Sequence, residues 1–348
     1  MKQEDMTKIE ALRAQTFGVE IEMNHITRQA AAKVAAGYFG TNSWAHVGER
    51  YYDSWTAKDA QGRIWKFSRD GSICGPDSEK CELVTPILHY EDIEFLQELV
   101  RRLRDAGAVS NPKNGCGVHI HVGGDGHTPT SIRALCNMMA KYEKTLIQTV
   151  HIDDGRLSNY CQTVDPDFLR RLNEQKPKTM NELEDLWYQF NGGCDRMSER
   201  LAHYNPSRYH MLNLHSFFHG HGTIEFRLFQ FDNPHRVAPG SNKYTSKQGL
   251  HAGHLKAMIQ MCLAMNNLAK MTKFSRLDTC RDCAKKTDVM RWFYKLGFIG
   301  EEFTTCRRYF ARNLEAGVAH HAHNAPAPAT MPTFVPTNNA TGPILMII

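Results

Sequence analysis

The chain has 348 residues, 41% of them apolar and 23% charged, with a formal net charge of +5 at pH 7 and a pI near 8.6. This composition fits a folded chain of one large or two ordinary domains and excludes a disordered or fibrous one. The weak, scattered positive balance suits anionic small molecules such as nucleotides and does not make the basic surface that nucleic acid requires.

No run of about 18 apolar residues is present to span a membrane. The polar start Met1-Lys2-Gln3-Glu4-Asp5 lacks the apolar stretch of a secretion signal. The ten cysteines therefore read as reduced thiols of a cytoplasmic protein. Cys280-x-x-Cys283 has no second pair to complete a zinc site, and cysteines beside packed helices are the simpler reading.

In chain order, residues 1–16 read as a short helical or loose arm. Phe17-Gly-Val-Glu-Ile-Glu-Met23 has the alternation of a strand, so Glu20 and Glu22 share one face about 7 Å apart. Alone, that pattern also suits the wet face of an edge strand. Thr27 can cap a helix running to about Phe39. Trp44–Val47, Tyr51–Trp55 and Arg63–Ser68 read as short hairpin strands, Asp70-Gly-Ser72 as a turn, and Cys81–Pro86 as a strand carrying Glu82.

The spacing of Ile93, Leu96, Leu99, Val100 and Leu103 predicts an amphipathic helix over Tyr90–Ala106. Gly115–Gly123 reads as a strand with His119 and His121, and Pro129 to about Val150 as a long helix. Residues 151–205 read as connections with helices near Phe168–Asn173 and Met180–Phe190. Strands return at Arg208–His215 and Thr223–Phe231, followed by helices at Gln248–Met271, Lys285–Leu296 and Glu301–Glu315. From His320 the Pro/Asn/Thr-rich sequence reads as a disordered tail or an arm docking on a second copy. Short turns between strands favour an α+β fold, a largely antiparallel sheet with helices on one face.

Glu20, Glu22, Glu82, His119 and Glu225 fall on predicted strands, with His121 as a sixth candidate. Carboxylate oxygens with one imidazole suit magnesium or manganese. His-x-His by itself fits equally a hydrogen-bonded structural pair. Glu225-Phe-Arg227 sets a carboxylate and a guanidinium on one face, as a cross-strand ion pair or as a metal ligand beside a phosphate clamp. Arg208, Tyr209 and Asn213 lie on the predicted neighbouring strand. No phosphate-binding glycine loop, dinucleotide fingerprint or serine-nucleophile elbow occurs. A nucleotide would then be held by metals and side chains on a sheet.

Phe17–Glu22, Asp70–Ser72, Glu82–Pro86, Gly117–Val122, Arg208–Asn213 and Ile224–Arg227, in that order, resemble the motifs of the amidoligases. These belong to the carboxylate–amine ligase superfamily of glutamine synthetase and glutamate–cysteine ligase. The resemblance spans roughly residues 17–270. It implies a curved antiparallel sheet with helices on its convex face, and ATP- and magnesium-dependent formation of an amide or isopeptide bond through an acyl phosphate.

By motif, Glu20, Glu22, Glu82, His119 and Glu225 would be metal ligands. His121, Asn213, Arg208 and Arg227 would contact nucleotide, with Arg227 beside the transferring phosphate and Arg208 open to a substrate carboxylate. Asp70 would orient or deprotonate the amine. The N-terminal domain of glutamine synthetase is not found here and the chain is short for a glutamate–cysteine ligase, which speaks against ammonia or cysteine as the amine and leaves a peptide, protein or cell-wall amine open. The division expected is an arm at 1–16, a catalytic domain at 17–275, a helical extension at 276–318 and a tail at 319–348. Two readings stand against the ligase: a metal-dependent hydrolase built on the His-x-His pair, and an inactive binding protein of the same fold.

Overall fold

The alternating side chains of residues 17–23 do form a strand, and it lies in the middle of the sheet rather than at its edge. The computed structural model describes residues 3–48, 51–191, 197–232, 249–275, 277, 286–312 and 314. The elements run α1 (Gln3–Arg13), β1 (Phe17–Met23), α2 (Arg28–Tyr38), β2 (Trp44–His46), β3 (Trp55–Lys58), β4 (Ile64–Ser68) and β5 (Cys81–Val84). Next come α3 (Ile93–Asp105), β6 (Val118–Gly123), α4 (Pro129–Val150), α5 (Asp154–Asn159), α6 (Pro166–Gln175), α7 (Met180–Phe190) and α8 (Met197–Arg200). The chain continues through β7 (Leu212–Asn213), α9 (His215–His219), β8 (Thr223–Phe229), α10 (Ala252–Met271), α11 (Lys286–Lys295) and α12 (Thr304–Ala311).

The strands form one sheet of eight in the order β2-β3-β4-β5-β1-β6-β8-β7, and every neighbouring pair is antiparallel. Val19, Ile21 and Met23 of β1, Val118, Ile120 and Val122 of β6, and Ile224, Phe226 and Leu228 of β8 are buried. They are the apolar half of the alternation, and each large side chain so buried stabilises by about 1.5–3 kcal/mol. α10 lies against β6 and β8, α2 against β3 and β4, and α3 and α4 pack on α10.

Local rules set the helix ends. The Thr27 hydroxyl accepts from Ala30 N, and the Thr128 and Thr179 hydroxyls cap α4 and α7 in the same way. α1 is a helix docked on α10, with Leu12 buried, Gln15 Nε2 donating to Leu263 O at 2.8 Å and Asn267 Nδ2 donating to Lys8 O at 3.1 Å.

Several expectations change. The strand expected at Tyr51–Trp55 begins only at Trp55, because Tyr51 and Tyr52 form a turn and Asp53 takes a left-handed φ of 40°. The strand expected at Arg208–His215 shrinks to Leu212–Asn213. Pro206 opens a 3-10 turn that ends at Arg208, and Asn213 Oδ1 accepts from His215 N to start α9. Helix α5 was not foreseen. It matters because Arg156 of α5 lies 3.8 Å from Glu22, on the face of β1 opposite the buried Ile21, so the helices are not confined to one side.

No helix among the described residues is long and apolar enough to cross a membrane. The described cysteines are free thiols. Cys280, Cys283 and the tail at 319–348 lie outside the described residues.

Candidate active site

The sheet's register assembles the site. Glu20 lies opposite His119, Glu22 opposite Glu82, His121 opposite Glu225, and Asn213 opposite Glu225. Directly opposed residues in an antiparallel pair share a face, with Cβ atoms about 4.5–5.5 Å apart. All the acidic and imidazole positions singled out on strands therefore meet on one face of β5, β1, β6 and β8. Two carboxylates directly opposed, as Glu22 and Glu82 are, repel each other.

Burial sharpens that conflict. Glu22, His119, Glu225 and Arg227 are only 4%, 4%, 2% and 5% exposed. His119 bridges the β1 pair, with Nδ1 donating to Glu20 Oε2 at 3.0 Å and Nε2 3.8 Å from Glu22 Oε1. Gly117 N donates to Glu22 Oε2 at 2.5 Å. Glu225 Oε1 accepts from Arg227 Nη1, and its Oε2 accepts from Asn213 Nδ2 at 2.6 Å. His121 Nδ1 is hydrogen-bonded to Thr223 Oγ1 at 2.9 Å, while its buried Nε2 has no hydrogen-bond partner. That nitrogen lies 3.3 Å from Glu20 Oε1 and 3.9 Å from Glu225 Oε1.

The carboxyls answer this environment in opposite ways. Burial disfavours the Glu20 anion, but the charge of the nearby His121 and the hydrogen bond from His119 hold its pKa well below the usual range. Burial likewise opposes Glu225, yet Arg227 and then His121 bring it down to about 2. Burial pushes Glu82 well above the usual range, and the charges of Glu20, Asp70 and Glu22 add to the shift. Burial would lower His121, but Glu225 and Glu20 raise it. Burial would also lower Arg227, and Glu225 with Glu20 more than restore it.

These residues fit a cation. Glu20, His121 and Glu225; Glu20, Glu82 and His119; and Glu22, Asp70 and Glu82 each offer ligand atoms within 4.8 Å of one another. The groups share Glu20 and Glu82, so adjacent ions could use common ligands. Among the described residues, His121 Nε2 has no hydrogen-bond partner and faces two carboxylate oxygens, and Glu82 makes no salt bridge, with only the charge of Arg227 acting to lower it. A divalent cation would satisfy both conditions, and a donor set rich in oxygen suits a hard ion.

A cleft of about 270 Å³ adjoins the Glu22 end of this cluster. Its lining includes Asp70, Arg156, Tyr160, Arg208, Tyr209 and Arg227. Asp70 does not stand apart from the other acids: its Oδ1 accepts from Ser72 N and Oγ at 2.7 Å each, and the turn brings it to Glu22 and Glu82. Arg208 enters from the 3-10 turn. Its Nη1 donates to His203 O at 3.0 Å and its guanidinium lies 5.6 Å over the Tyr204 ring. Asn213 sits behind Glu225 with both amide atoms engaged, so it orients that carboxylate instead of facing the cleft.

Sequence reasoning missed Arg156, Tyr160 and Tyr204. They lie in the stretch read as connections, where no periodicity marks them. The one available signal was Gly117, whose lack of a side chain admits Arg156.

No curated protein sequence matches the chain. Among solved structures the chain is similar to the crystal structure of a bifunctional glutathione synthetase from Pasteurella multocida, with 12% identity, a TM-score of 0.42 and coverage of 89% of this chain and 49% of that one. The chain thus spans about half the length of that relative, and the likeness supports no inference about function. The family described as "Putative amidoligase enzyme" matches residues 13–233, well over half of the sequence and all six motifs, and the chain belongs to this amidoligase family.

Proposed function

We propose that the chain is an ATP- and magnesium-dependent carboxylate–amine ligase built on a glutamine synthetase-like sheet. The observation that carries this reading is the convergence of Glu20, Glu22, Glu82, His119 and Glu225 on one sheet face, with Arg227 beside them. Magnesium bound there would neutralise phosphate oxygens of ATP. Those five residues would hold it, with Asp70 completing the Glu22–Glu82 end.

In the first half-reaction a substrate carboxylate oxygen attacks the γ-phosphorus, the bond to ADP breaks, and an acyl phosphate forms. In the second, an amine nitrogen attacks the acyl carbon, phosphate departs, and the nitrogen loses a proton. Arg227, held by Glu225, presents a fixed guanidinium to the charge that develops on the transferring group. His121 is the candidate nearest the nucleotide. Arg208 and the cleft beside Glu22 suit the acid substrate, whose reacting carboxylate would approach Arg227.

ADP release should be measured with magnesium and a panel of amino acids, dicarboxylates and peptides, with and without amines, using hydroxylamine to trap acyl phosphate as hydroxamate. Carboxylate-dependent ADP release and hydroxamate are expected. Failure to bind any nucleotide would sink the ligase reading, and hydrolysis without ATP would move the assignment to a metallohydrolase.

A further inference from the structure

Arg156 is the one buried guanidinium at the site that no motif announced, and its contacts join the two strands that matter most. Strand β8 carries an irregularity opposite β6. Val118 pairs with Phe229 and Ile120 with Phe226, so Arg227 and Leu228 together oppose His119. Such a bulge re-aims a side chain and leaves backbone groups outside the ladder. Arg156 Nη2 donates to two carbonyls there, Arg227 O at 3.1 Å and Phe229 O at 3.3 Å.

The other arm of the fork turns to β1. Arg156 Nη1 lies 3.8 Å from Glu22 Oε2, the oxygen that also accepts from Gly117 N. The guanidinium lies so close to Gly117 that a Cβ there would sit 2.1 Å from Nη1 and 2.3 Å from Cζ. Only glycine permits the contact. Arg156 is 4% exposed, and its Nε has no hydrogen-bond partner among the described residues.

We propose that Arg156 is the positioning residue of the cation site, fixing Glu22 from beside it in the cleft wall and holding the bulge that aims Arg227 into the cleft. The inference rests on reading the sheet face as a cation site. A planar fork can meet two carbonyls and a carboxylate at once, whereas a lysine ammonium cannot match that geometry. Outer partners that orient metal ligands change metal affinity by about 10- to 100-fold when replaced. Simple charge arithmetic gives the opposite sign: removing a cation next to Glu22 would strengthen binding of a second cation. A weakened site therefore identifies positioning.

The test is Mn²⁺ titration of the full chain, followed by the electron paramagnetic resonance signal of the free ion, with a thermal melt of each variant. Arg156→Lys should bind Mn²⁺ about 10- to 100-fold more weakly while still melting cooperatively. Arg156→Ala should lose affinity to a similar extent and regain it with millimolar methylguanidinium, a rescue that a purely structural role does not give. Wild-type affinity in a folded Arg156→Lys chain would overturn the proposal, as would a folded Arg156→Ala chain that methylguanidinium leaves unchanged. If Arg156→Ala fails to fold, the lysine variant decides. A wild-type chain that binds no Mn²⁺ would instead overturn the cation reading, and this role with it.

Discussion

The two faces of the central sheet are buried to nearly the same degree by opposite kinds of residue. Ile21, Ile120 and Phe226 are fully buried against helices, while Glu22, His119 and Glu225, one position away from them on β1, β6 and β8, are almost as inaccessible on the other face. Burial of the first set stabilises the fold. Burial of the second costs free energy unless counter-charges are supplied; Arg227 supplies one to Glu225, and Arg156 lies 3.8 Å from Glu22. On the proposed reading, a bound cation would offset the charge that remains among Glu20, Glu22 and Glu82.

That contrast can be broken from either side. Phe226→Ala, on the apolar face, should cost about 3–5 kcal/mol in urea unfolding, because it leaves a cavity under α10. On the polar face, Glu22→Gln should lower ADP release by about 10²–10³-fold while the urea midpoint moves little. Equal stability losses for the two variants would mean that the polar face is structural.

Two smaller effects sharpen the contrast. Magnesium at 100 times its Kd should add about 2.7 kcal/mol to stability, read as a rise in Tm. Glu82→Gln should abolish that rise and, by removing the charge opposite Glu22, leave the metal-free chain at least as stable. Persistence of the full rise in this variant would remove Glu82 from the ligand set.

Glu143 of α4 serves as a control, a half-buried carboxyl that is not among the candidate cation ligands. It accepts from Val164 N at 3.1 Å, and burial pushes it up to about 7. A pKa raised on folding means the native chain binds the proton more tightly. That stability is present below the unfolded value of about 4.3 and is lost as pH rises through 7. Glu143→Gln should thus stabilise by about 1–3 kcal/mol at pH 9 and have no effect at pH 4, measured by urea unfolding. Magnesium should not alter the difference.

Much of this site was legible in the sequence because its parts obey a period of two. Glu20 and Glu22, His119 and His121, and Glu225 and Arg227 had to share faces once their segments were strands, and each alternates with a residue that fits a core. Edge and connection features were harder to read. Tyr51 and Tyr52 carry strand propensity but form a turn, since Asp53 leaves the extended region and its carboxylate accepts from Arg28 and His46. Arg208 looked like a strand residue until Pro206, which lacks an N–H, opened a 3-10 turn before it.

The sequence by itself determined which side chains face together, where helices are capped, and the order of the six motifs. These depend on contacts within a few residues and on the alternation of the strand backbone. Only the tertiary structure decided that β1 is central, that Asp70 joins Glu22 and Glu82, and that Arg156 reaches Glu22 across 134 positions of chain. Those placements follow from how distant segments close onto one another around the core, and no local spacing encodes them.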